Sequence, residues 1–168
     1  MMRLLDTYFK NPVKYDYFFT IIFVLILKKY IIGIYIELPK EEYVLALASE
    51  IVTILLTLAG FILTFLTVLI TFKLDAGKYD SKPESEMSIL EKFSHSGLYF
   101  QTTLIFKNSI KSIVFISIII YLSRILYSKI HLEGVFLVTI GGILILIFTL
   151  IRNLLVLDNI LELQKEEK

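Results

Sequence analysis

Glu50-Ile51-Val52-Thr53-Ile54-Leu55-Leu56-Thr57-Leu58-Ala59-Gly60-Phe61-Ile62-Leu63-Thr64-Phe65-Leu66-Thr67-Val68-Leu69-Ile70-Thr71 is the stretch on which the fold turns. Glu50, Thr53, Thr57, Gly60, Thr64, Thr67 and Thr71 recur at alternating steps of three and four, which places them along one stripe of a single helix. The rest of the segment is almost wholly apolar. At about 1.5 Å per residue the stripe runs roughly 30 Å, close to the thickness of a bilayer core. A membrane helix with small and hydroxyl groups down one side either packs a neighbour closely or faces water. Gly60 favours close packing, with Gly141-Gly142 as a candidate matching surface. Five threonines and a glutamate at one period are more polar than a contact seam requires, which favours a water path. Both hold if the stripe packs in a closed state and is hydrated in an open one.

Composition points to the same environment. The 168 residues are 57% hydrophobic, and the mean hydropathy is +0.77. A soluble domain of this size has too little interior to hide that much apolar surface. The net charge of +1 argues against a nucleic-acid binder held by a strong positive field. Cysteine is absent, which removes disulfides, thiolate catalysis and cysteine-ligated metals. Abundant Ile, Phe, Tyr and Lys without Trp fit an AT-rich, prokaryotic coding sequence. Arg3, Lys10 and Lys14 precede the first apolar run and no small-residue cleavage site follows it, so that run is expected to stay as a signal anchor.

Apolar runs at 16–36, 43–72, 104–127 and 133–157 are each long enough to cross a bilayer. They lack the alternation of a barrel strand, and in lipid that leaves helices. The sequence therefore predicts an all-α polytopic membrane protein with four transmembrane helices. Residues 1–15 form an N-terminal arm, 16–72 a first transmembrane hairpin, 73–103 a loop, 104–157 a second hairpin and 158–168 a tail continuing the last helix. Within the loop, Ser85 can cap a short amphipathic helix through Met87, Ile89, Leu90 and Phe93 that ends at Gly97. The second run exceeds a span, so it should tilt or project. Short connections predict antiparallel packing within each hairpin. Basic residues crowd the N-terminal arm, the middle loop with its flanks (Lys73, Lys78, Lys82, Lys92, Lys107, Lys111) and the C-terminal end (Arg152, Lys165, Lys168). The two short connections hold only Lys40 and Lys129. The positive-inside rule then places both termini in the cytoplasm and the chain, multi-pass, in the inner (cytoplasmic) membrane.

Charges inside a span are functional candidates, each in need of a partner. Lys28 and Lys29 precede the first turn by about as many residues as Glu50 follows it, so the three share a depth. Glu50 is predicted to pair with one lysine, and the other to snorkel or face another subunit. That pair is a clamp fixing the hairpin, a charged ring near the outer mouth of an oligomeric pore, or part of a proton or ion relay. Arg124 is expected close to Glu133, and Arg152 and Asn153 near the inner end of the last helix. No Walker-type loop, Gly-x-Ser-x-Gly or His-Glu-x-x-His occurs, and His95 and His131 stand without a second ligand at metal spacing. No catalytic residue, metal or cofactor is expected, and the chain does not read as an enzyme. Four unbroken helices are too few for alternating access in one protomer, so a conduction path needs a homo-oligomer.

Ala59-Gly60-Phe61-Ile62-Leu63-Thr64-Phe65-Leu66-Thr67-Val68-Leu69-Ile70, followed by Ser96-Gly97-Leu98-Tyr99-Phe100, resembles small four-helix membrane proteins of bacterial phage-defence and abortive-infection loci. The resemblance covers a minor part of the chain. It implies a homo-oligomeric inner-membrane effector or sensor that works with a cytoplasmic partner protein. Together these readings predict an oligomeric, pore-forming or membrane-permeabilising protein. The alternative is a non-conducting membrane anchor or scaffold that recruits a cytoplasmic partner through its loop, arm and acidic tail (Glu162, Glu166, Glu167).

Overall fold

The computed structural model describes residues 11–32, 37–76, 97–127 and 131–165. The described residues form four helices: α1 Pro12–Ile32, α2 Glu41–Ala76, α3 Gly97–Ile125 and α4 Leu132–Lys165. Local chemistry starts each one. Asn11 precedes Pro12, whose fixed φ and missing N–H suit a first helical position. The Lys40 carbonyl accepts the Tyr43 and Val44 amides at 3.0 and 3.2 Å, and Glu41 and Glu42 sit in that first turn, where the helix dipole favours negative charge. Arg124 occupies the last turn of α3, the end that favours a cation. Gly97 opens α3, which corrects its expected role as the stop of a loop helix. The amphipathic helix anticipated there, with Ser85 and His95, lies outside the described residues.

Three helices are long and apolar enough to cross a membrane, over Glu41–Thr71, Tyr99–Ile125 and Leu132–Asp158. The bundle is apolar outside as well as in, with Phe61 71% and Phe100 72% exposed. That inversion suits a lipid surround, where an outward Leu or Phe loses nothing. α1 carries Lys14, Asp16, Lys28 and Lys29 within its 21 residues and is the most charged of the four for its length.

Packing departs from two side-by-side hairpins. α2 packs on α3 and α4, α3 on α4, and α1 on α4 with a slight touch on α3, whereas α1 and α2 form no packing seam. The expected neighbours of the first hairpin are thus apart. α2 buries Val44, Ala48, Ile51, Leu55, Ala59, Ile62 and Leu69, a 3.5-residue seam against its two neighbours. Phe65 meets Phe106 of α3 edge-on, ring centroids 5.3 Å apart. At the other end burial raises the Tyr127 phenol above its ordinary pKa, with the nearby Glu41 carboxylate adding to the effect. These contacts run α2 and α3 antiparallel.

Gly141 and Gly142 lie in α4, buried, where helices approach closely. A Cβ on Gly141 would sit 3.5 Å from the Thr20 and Val24 methyls of α1, ordinary contact, whereas one on Gly142 would overlap the Ile120 side chain of α3. The pair faces α1 and α3, which corrects its proposed match with the threonine stripe. We expect Gly141→Ala to hold or raise the melting temperature in detergent. Gly142→Ala should cost about 1–3 kcal/mol of overpacking, relieved when Ile120→Val removes the obstructing methyl. Equal effects at both glycines would contradict this placement.

Candidate functional site: a buried polar knot and an outward polar edge

Along α2 the stripe faces away from the bundle. Glu50, Thr53, Thr57, Gly60, Thr64, Thr67 and Thr71 are all exposed. At about 100° per residue they centre on the side opposite the buried seam from Val44 to Leu69. Each threonine donates its hydroxyl to the carbonyl four residues back: Thr53 to Ser49, Thr57 to Thr53, Thr64 to Gly60, Thr67 to Leu63 and Thr71 to Thr67, at 2.8–3.0 Å. Back-bonding satisfies the hydroxyl proton and leaves oxygen lone pairs outward. The stripe is therefore free of intrachain packing, contrary to a seam within one chain.

Glu50 helps line an open groove of about 300 Å³ with Pro39, Tyr43, Leu47 and, from α4, Phe136. Lys28 and Lys29 are exposed on α1. Among the described residues no ion pair joins Glu50 to either lysine; the one present joins Asp16 and Arg152. α1 and α2 form no packing seam with each other, so the predicted clamp does not form between the described residues. Nor do Arg124 and Glu133 pair: Arg124 is exposed and one Glu133 carboxylate oxygen is buried without a hydrogen-bond partner.

Arg152 and Asn153, expected merely near an end, are the centre of a polar knot. Arg152 is 1% exposed and Asp16 2%. The Arg152 Nη1 donates to an Asp16 carboxylate oxygen, and its Nη2 donates to Ser109 Oγ of α3 at 3.0 Å. Ser109 Oγ in turn donates to Asn153 Oδ1 at 3.1 Å. One turn along α3, the Tyr17 hydroxyl donates to the Ser112 carbonyl and accepts from Ser112 Oγ, both at 3.3 Å. Three helices are tied at one level. Arg152 Nε, Asn153 Nδ2 and the Thr20 and Thr149 hydroxyls are buried beside these groups without a protein partner, which suits a site able to hold water. The set contains no nucleophile with an adjacent base, and no group of three or more potential metal ligands occurs among the described residues. Its chemistry is charge neutralisation.

Reading the sequence hairpin by hairpin misses this knot. The signal was an aspartate opening one long apolar run and an arginine inside the last turns of another, at the same end of the bundle. Removing one partner of a buried ion pair strands the other and costs about 3–5 kcal/mol, whereas apolar replacement of both is often nearly neutral. Asp16→Leu and Arg152→Leu should each lower unfolding stability in mixed micelles by that order, and the double variant should lose far less than their sum. Simple additivity would show that the two charges are not coupled. No family model, curated protein or solved structure matches the chain.

Proposed function

We propose that the protein is a homo-oligomeric inner-membrane effector or sensor whose subunits meet along the outward edge of α2, packed there when closed and admitting water and ions along the same edge when open. The observation that carries this reading is the exposed run from Glu50 to Thr71, set opposite the core on a helix long enough to cross the membrane. From Ile51 to Phe72 the chain has no charged residue, about 33 Å of helix, which puts Glu50 at the outer boundary of the apolar layer. A carboxylate there calls for water or a cationic partner rather than acyl chains.

In this reading α1 is the fourth span. It runs antiparallel to α4 from the knot upward and turns Phe18, Phe19, Ile22 and Leu25 outward. Lysine and arginine placement puts both termini on the cytoplasmic side. The resemblance to defence-locus proteins supplies the proposed setting, an anti-phage response triggered through a cytoplasmic partner. A second reading, a non-conducting anchor, is favoured by one observation: the five back-bonded threonines already satisfy their own donors, so the edge needs no water.

Ion flux from liposomes holding the pure protein separates the two. Flux from the wild type that falls at least tenfold in Thr64→Leu/Thr67→Leu, at unchanged oligomer size, is the expected result. An assembled double variant with wild-type flux removes the stripe as a conduction path. No wild-type flux under any trigger leaves the anchor.

A further inference from the structure

Buried hydroxyls fall into two groups in this bundle. Ser117 donates to the Ile113 carbonyl at 2.7 Å, Ser123 to that of Ile120 at 2.7 Å and Thr139 to that of Val135 at 2.8 Å, so each is satisfied by its own helix. Thr20 and Thr149 forgo that bond and have no protein partner. Thr139 and Thr149 make the sharpest contrast, since both lie in α4 and both are 0% exposed. What differs is position. Thr149 stands one helical turn from Arg152 and Asn153, and Thr20 one turn from Asp16.

The unpaired groups beside the ion pair can all donate. Arg152 Nε carries one N–H, Asn153 Nδ2 carries two and each threonine carries an O–H, and none of these atoms has a protein partner. Their residues are at most 6% exposed. Arg152 Nη2 and Asn153 Oδ1 both end on Ser109 Oγ, which holds the free N–H groups of the two side chains at one level of the bundle. A buried donor left without an acceptor is costly, so the site calls for a small acceptor. Charge selects which one. Asp16 already balances Arg152, so an anion would leave the site negative inside an apolar bundle, whereas water is neutral. Its oxygen accepts two hydrogen bonds, and its own hydrogens reach the lone pairs that the threonine hydroxyls leave open.

We infer that the knot is a binding site for internal water. One water accepts from Arg152 Nε and Asn153 Nδ2 and donates to Thr149 Oγ1, and a second bonds the Thr20 hydroxyl on the Asp16 side of the ion pair. Exchange with bulk solvent is short-range, because Arg152 precedes the end of its span at Asp158 by only about 9 Å of helix. Farther into the bundle Ile113, Ile116, Ile120 and Val135 are buried, and the hydroxyls of Ser117, Ser123 and Thr139 are already bonded. The interior is thus wet at one end and closed beyond it, a pocket and not a channel. The site is complete within one subunit and does not depend on association.

Water-edited solid-state NMR of the full chain in bilayers tests the site, with threonine-labelled protein and each signal assigned by its loss in the Thr→Val variant. Transfer from water to Thr20 and Thr149 should be at least threefold faster than to Thr139, the equally enclosed control. Replacing chloride in the buffer by gluconate should leave it unchanged. Thr149→Val keeps the shape of the side chain and removes the hydroxyl. It should lower the melting temperature by about 2–4 °C, because the water loses a partner and no longer serves Arg152 and Asn153 as well. Transfer to Thr20 and Thr149 as slow as to Thr139 overturns the proposal. So does transfer that changes with chloride, the mark of a held anion. A melting temperature that holds or rises in Thr149→Val overturns it too, since that is the behaviour of a dry, unpaired hydroxyl.

Discussion

An arginine and an aspartate held out of water at one level of an apolar bundle set the geometry of everything around them. Neither charge is tolerable alone in that surround, so α1 must present Asp16 to α4 and α4 must present Arg152 to α1. Ser109 and Asn153 then complete the arginine's shell and draw α3 to the same point. The constraint is rotational as well as positional. With Asp16 turned inward, the residues one and two helical turns on, Thr20 and Val24, meet Gly141, and Phe18, Ile22, Leu25 and Lys29 have nowhere to point but out. An ion pair at one end thus decides what α1 shows along its whole length.

The same constraint explains what could and could not be read beforehand. Helix existence is a local property of apolar length and backbone satisfaction, and it was legible in all four segments. The period of the α2 edge was legible too, since 3-and-4 spacing is a property of a single helix. Azimuth was not. A short connection suggested that α1 and α2 pack together, but the carboxylate that partners Arg152 of α4 is Asp16 of α1, so α1 packs on α4 instead.

The threonine edge illustrates a related ambiguity. Hydroxyls at one period are compatible with facing in or out, because back-bonding satisfies the donor in either case. What turns them out is the other side of α2, where Leu55, Ile62, Leu69 and their neighbours fill the contact with α3 and α4 more fully than threonines would. Burial of the larger apolar set wins, and the small polar set is left over. A leftover edge of this kind in lipid gains little from the hydrophobic effect but permits close backbone approach, which is the currency of helix association there.

The residues that hold the bundle together and those along the outward edges of α1 and α2 are consequently different sets. The knot of Asp16, Arg152, Ser109 and Asn153 is enclosed and faces no neighbour; the edges of α1 and α2 are open and contribute nothing to the enclosed core. The two edges differ, with large residues on α1 and small ones on α2, so neither is complementary to itself. A contact between them would join unlike surfaces, head to tail, rather than one patch to its own copy by a twofold axis.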